Sequence, residues 1–168
     1  MGVVYIYTNR AAQGISEFKR ALGIDRNLAA AHAYIGLAQN FVGRGEEAAG
    51  HIEDALRLSP RDTAVYLWRS FNESVKVFLA KDEEAVGELR RAIEANRNFS
   101  AAHFYLAVAL AELGRLDEAR LEAREGLSID PMFTIRRYRS DAPSDNPIFL
   151  NRMQQIYELM REVGVPEE

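Results

Sequence analysis

An all-α fold, built as a solenoid of stacked antiparallel helix pairs, is predicted by three observations on this 168-residue sequence. Prolines stand only at positions 60, 131, 143, 147 and 166, and neither sustained strand alternation nor an Asn-Gly or Asp-Gly hairpin turn is present, so long stretches are free to be helical. Three columns keep one register: Gly14, Ala48, Ala85 and Ala119; Phe18, Ile52, Leu89 and Ala123; Ala21, Ala55, Ala92 and Gly126. Each steps by 34, 37 and 34 residues, and a fixed period of that size marks a repeat architecture before any single helix is argued. Finally, Glu46-Glu47, Asp82-Glu83-Glu84 and Asp117-Glu118 recur where a second helix of each unit would open. Acidic residues there face the positive end of the helix dipole.

The units follow in order within one domain, residues 1–168. Residues 1–28 form a partial repeat: Ala11 to Leu22 make a good second helix, but Val3 to Tyr7 are too short for a complete first one. Phe18, Leu22 and the stretch Val3-Val4-Tyr5-Ile6-Tyr7 are then expected to lack cover, which predicts a homodimer or weak self-association through residues 1–22. In residues 29–62, Ile35-Gly36 and Leu37 lie on the first helix, Gly43 to Gly45 break the chain, and the second helix runs from Glu46 to near Leu58. Residues 63–99 are three residues longer. Trp68, Phe71, Asn72 and Val75 fit first-helix columns if two extra residues lie in the entering linker and one in the turn around Ala80 to Asp82. Residues 100–133 return to 34, with His103, Leu106-Ala107 and Leu110 before Ala119, Ala123, Gly126 and Pro131. Residues 134–168 read as a C-terminal cap, with Asp145 or Asn146 capping a helix that has Pro147 in its first turn. Its apolar stripe, Phe149, Met153, Ile156, Tyr157 and Met160, is expected to cover the last repeat, as solenoid ends require.

These residues resemble the tetratricopeptide repeat (TPR), a 34-residue helix-turn-helix. His32, Ile35-Gly36, Gln39, Ala48, Ile52, Ala55 and Pro60 carry the likeness in one unit, and His103, Leu106-Ala107, Leu110, Ala119, Ala123, Gly126 and Pro131 in another. Gln39 and Leu110 replace the usual Tyr, while Arg26 and Arg97 replace the closing Pro, which is expected to loosen those caps. The resemblance implies a right-handed superhelix whose concave face, lined by first helices, binds a protein or peptide partner. The family's concave columns fall on Ala33, Leu37 and Asn40, on Tyr66, Arg69, Glu73 and Lys76, and on Phe104 and Val108. With Leu37, Glu73 and Val108 in the ninth place, the family's clamp for a chaperone's terminal carboxylate is absent. What remains is an apolar surface with a polar middle, suited to an amphipathic helix or an extended apolar peptide. Leu37 and Phe104 equally suit simple packing against the next helix.

Composition narrows the function class. Lys plus Arg total 21 against 25 Asp plus Glu, a net charge of −4 with no long run of one sign, which disfavours nucleic-acid or membrane partners. Zero cysteines exclude disulfides and thiolate sites, no signal peptide or membrane span is recognisable, and the cytoplasm is the expected compartment. His32 and His103 share one repeat position and, with His51, read as packing histidines rather than metal ligands. Gly43-Arg44-Gly45 is an inter-helix turn, the carboxylate pairs are solvated helix starts, and nothing marks a nucleophile with its base. The expectation is a non-catalytic scaffold with no metal or cofactor.

The tail, FTIRRYR, APSDNPIFL and YELMREVGVPEE, together with the 37-residue middle unit, is similar to the C-terminal TPR region of bacterial class III adenylate or guanylate cyclases. That likeness implies a regulatory or oligomerising region whose catalytic domain lies upstream.

Overall fold

The computed structural model describes residues 1–168 as ten α-helices and no strand. They are α1 (Gly2–Tyr7), α2 (Ala11–Ile24), α3 (Ala29–Phe41), α4 (Gly45–Leu58), α5 (Val65–Phe78), α6 (Asp82–Ala95), α7 (Ser100–Glu112), α8 (Leu116–Ile129), α9 (Ile135–Ser140) and α10 (Pro147–Glu162). The helix starts locate the extra residues of the middle unit as expected. α5 begins 36 residues after α3, whereas α6 begins 17 after α5, against 16 for each of the other two pairs. By compactness the chain groups into two units, Met1–Val75 with Ala142–Asn151, and Lys76–Asp141 with Arg152–Glu168.

Turn chemistry explains why the helices stop where they do. α3, α5 and α7 each end on a residue of positive φ, Gly43 at 76°, Ala80 at 54° and Gly114 at 74°. The next amide then bonds back across the turn, from Arg44 to Gln39, Lys81 to Lys76 and Arg115 to Leu110, the Schellman pattern that satisfies terminal carbonyls. Ala80 holds this conformation without the freedom a glycine has. The second helices end differently. Asp25, Asn96 and Asp130 turn the chain by accepting the amide two residues on, from Asn27, Asn98 and Met132. The turns at Arg26 and Arg97 are therefore held by the preceding side chain, as is the turn at Pro131.

In the first unit, small residues let helices approach. A methyl group at Gly36 would stand 2.5 Å from Ile52 Cγ1 and 2.8 Å from the Ala48 carbonyl oxygen, so α3 and α4 are nearly in backbone contact. The N-terminal expectation needs correction. α1 is short, as anticipated, and it covers part of this surface, leaving Val4 and Tyr7 exposed and Phe18 and Leu22 half-buried. Ile6 is fully buried against Gly14, Gly2 meets the Phe18 ring, and that ring stacks on Tyr34 at 5.5 Å. Phe71 is buried beside Tyr34, and Trp68 is buried as predicted.

The second unit has the same construction. Leu89, Leu106 and Leu110 are buried, and Gly126 lies against the Phe104 ring, where a methyl group would come within 2.9 Å. Thr134 caps α9 by accepting the Arg137 amide.

Candidate interaction surface

The nine positions expected to line a binding face divide sharply. On α3, Ala33, Leu37 and Asn40 are buried. The Asn40 side-chain oxygen has no hydrogen-bond partner there. Phe41, one turn beyond Leu37 on the same side of the helix, packs against Phe149 with ring centroids 5.4 Å apart. Ser144 donates its hydroxyl to the Phe41 carbonyl, and Asn9 donates to the Asp145 carboxylate at 2.6 Å. Asn146 caps α10 by accepting the amides of Ile148 and Phe149, and its oxygen reaches to within 2.6 Å of the place a side chain on Gly43 would need. The chain's own segment 142–151 thus closes over the end of this face. Phe149 therefore covers the 29–62 repeat, not the last repeat that the apolar stripe was expected to shield.

On α5, Glu73 is buried, whereas Tyr66 is 69% exposed and Arg69 is exposed as well. Lys76 is drawn into an ion pair with Glu88 at 2.6 Å, with its side chain only 12% exposed. On α7, Phe104 and Val108 are buried. Phe104 stacks on Phe133, centroids 3.7 Å apart and planes 14° from parallel, which is the packing alternative the sequence allowed for it. Six of the nine candidates are therefore interior, one is paired, and only Tyr66 and Arg69 present themselves to solvent.

The histidines occupy a column with polar partners 19 residues on. His103 bonds Glu122 at 2.7 Å, and His32 meets His51 with the two Nδ1 atoms 3.0 Å apart. His32 Nε2 lies 3.2 Å from the Arg26 carbonyl, to which it donates, so its Nδ1 accepts from His51. Burial and the neighbouring His32 hold the His51 pKa below its ordinary value.

Sequence reasoning did not single out Arg152. Its guanidinium donates to the Val77 and Phe78 carbonyls at 2.7 and 3.0 Å and to Glu112 at 2.6 Å, closing the C-terminal end of α5 where the dipole favours a cation. A hollow of about 370 Å³ opens beside it, bounded by Glu112, Gln155, Glu158, Leu159 and Glu162. Asp82, at the start of α6, has its pKa pushed up to about 6 by burial and by Glu112, with Arg152 acting in the opposite sense.

Comparison with known proteins fits this architecture. Residues 88–121 match the tetratricopeptide repeat family, a span that takes in all of α7 and parts of α6 and α8. The chain is 34% identical over 79 residues to "Protein STIP1 homolog" of Dictyostelium discoideum, covering 47% of this chain and 14% of that protein. It is 29% identical over 89 residues to the "Hsp70-Hsp90 organizing protein" of Triticum aestivum, covering 53% of this chain and 15% of that one. The alignments thus span about a seventh of the length of these relatives. Among solved structures, a crystal structure of MamA superposes with a TM-score of 0.66 at 21% identity, covering 97% of this chain and 94% of that one. MamA from Desulfovibrio magneticus RS-1 gives 0.66 at 16%, covering 95% and 91%. YrrB, described as a TPR protein with an unusual peptide-binding site, gives 0.61 at 22%, covering 96% and 80%. At such identities the likeness is one of fold. No helix is long and apolar enough to cross a membrane. The chain is an α-solenoid of tetratricopeptide type, with residues 88–121, from within α6 into α8, matched to that family.

Proposed function

We propose that this chain is a non-catalytic scaffold that binds a segment of a partner protein, with Tyr66 and Arg69 of α5 as the first point of contact. The observation that carries the reading is the exposure of that pair, a large aromatic ring and a guanidinium one turn apart on a first helix. Tyr and Arg are the residue types in which binding energy concentrates at interfaces. The relative named an Hsp70-Hsp90 organizing protein, and the solved TPR fold with a peptide-binding site, support the same class of function. Ala33, Leu37 and Asn40 join such a site only when segment 142–151 lifts from Phe41, and the unpaired Asn40 oxygen would then accept a hydrogen bond from the incoming chain.

The test is affinity purification with the parent, with Tyr66→Ala plus Arg69→Glu, and with Ile24→Ala as an exposed control. A stoichiometric partner kept by the parent and control but lost by the double variant supports the scaffold. Equal recovery on all three overturns the assignment to α5. The cyclase-associated reading rests on the tail, which forms α9 and a docked α10. A reading frame in which a cyclase domain precedes residue 1 would favour it. For self-association through residues 1–22, the basis left by the cover from α1 is exposed Val4 and Tyr7, so Val4→Glu plus Tyr7→Glu should weaken any dimer seen by light scattering.

A further inference from the structure

α9 carries three arginines in six residues, IRRYRS, in a protein of net negative charge. The segment after α10 returns to meet two of them, Arg136 and Arg139, while Arg137 pairs with Asp130. Beyond Gly164, whose φ of 95° reverses the chain, residues 165–168 run alongside α9. The Ile135 and Arg136 amides donate to the Pro166 and Glu167 carbonyls at 2.9 and 3.0 Å. Val165 is buried, two residues before the acidic pair. Glu167 meets Arg161 at 2.8 Å and Arg139 at 3.7 Å, while Glu168 meets Arg136 at 3.0 Å. Arg139 also lies over the Tyr157 ring, 4.8 Å from its centroid. The segment is therefore held by two backbone bonds, one aliphatic anchor and a set of arginine–carboxylate contacts, which is how a short linear peptide is read: main chain for affinity, side chains for specificity.

We infer that α9 together with Arg161 forms a second docking surface, whose ligand is an extended acidic segment of a partner protein with an aliphatic residue two places before two carboxylates, and that residues 165–168 occupy it as an internal competitor. Charge complementarity identifies the occupant: three arginines, 40–71% exposed, face two glutamates that are 46% and 72% exposed. Each ion pair this open to water is weak on its own, so the tail is held by their sum, and a segment that makes the same set exchanges for it with little net change in free energy. The tail's advantage is its tether, which keeps it at a high effective concentration. This surface is distinct from Tyr66 and Arg69, so its test stands or falls apart from theirs.

A labelled, acetylated and amidated GVPEE peptide is the probe, read by fluorescence polarisation with the full chain. Glu167→Gln plus Glu168→Gln weakens the internal competitor and should tighten probe binding about tenfold or more over the parent. Adding Arg136→Gln and Arg139→Gln should abolish it, as should a GVPQQ probe, and raising salt should weaken it. Circular dichroism checks that each variant is folded. Independently, saturating the parent with probe should change the hydrogen-exchange rates of the Ile135 and Arg136 amides. Equal affinity for parent and tail variant, or binding that survives loss of the arginines, overturns the inference. So does a concentration-dependent dimer of the tail variant that excludes the probe, or binding to phosphatidylserine vesicles that the peptide does not displace.

Discussion

Replacing Gly36 by alanine tests the spacing between α3 and α4, on which the repeat packing depends. The added methyl would lie 2.5 and 3.1 Å from Ile52 Cγ1 and Cδ1 and 2.8 Å from the Ala48 carbonyl oxygen. Comfortable carbon contacts are about 3.5–4.0 Å, so both neighbours must retreat by about 1 Å. Ile52 is fully buried and the Ala48 oxygen is backbone, which leaves separation of the helices as the main relief. Overpacking of this kind costs about 1–3 kcal/mol. Alanine recovers about 1 kcal/mol through its better helix propensity, leaving a net loss of up to about 2 kcal/mol. For a chain of this length that lowers Tm by up to about 8 °C. Gly50 provides the contrast, because it is exposed in α4 and a methyl there meets nothing within 4 Å. Gly50→Ala should gain about 1 kcal/mol from propensity alone. Urea unfolding followed by circular dichroism reads both variants. If Gly36→Ala proved as stabilising as Gly50→Ala with an unchanged m-value, the close approach of α3 and α4 would be refuted.

Phe71→Ala and Leu106→Ala each empty a buried position and should cost about 2–5 kcal/mol in the same urea assay. Ala80→Gly should raise Tm, since a left-handed alanine costs about 1–2 kcal/mol and glycine's extra freedom in the unfolded chain returns about 0.4–1 kcal/mol of that gain. Asp82 has a folded pKa raised to about 6 from 3.8, so between those values the unfolded chain ionises first and stability falls as pH rises. Asp82→Asn should therefore raise Tm more at pH 7.5 than at pH 4, and an equal shift at both would remove Asp82 as the cause. His51 is depressed below 6.5, so the unfolded chain takes up its proton first and stability falls as pH drops beneath that value. His51→Glu, which copies the His103–Glu122 spacing and removes the His51 proton uptake, should shift Tm upward at pH 5.5 relative to pH 8.

The parts of this protein legible in its sequence are those set by near neighbours along the chain. Helix boundaries follow from Gly43, Gly114 and the acidic first turns, and the extra residues of the middle unit could be placed because Ala85 and Leu89 stay in column while Trp68 and Phe71 move. The α10 cap was readable as Asp145 or Asn146 ahead of Pro147 for the same reason, and Asn146 makes it. The binding face was not. Ala33, Leu37, Asn40, Glu73, Phe104 and Val108 are buried, and such residues look the same on a helix whether the face awaits a partner or is already covered. What covers the end of α3 is a contact between Phe41 and Phe149 and a hydrogen bond from Ser144, made by residues more than 100 positions away that belong to no repeat. Periodicity records what each repeat asks of the next, and a segment outside the period leaves no mark on it. IRRYRS and VPEE are likewise plain charge clusters in the sequence, 25 or more residues apart, and only the reversal at Gly164 makes them partners. In a solenoid, then, the repeats predict the scaffold, and the non-repeating tail decides which of its surfaces are open. Tyr66 and Arg69 stay exposed, while the arginines of α9 are reached by displacing a weakly held glutamate pair.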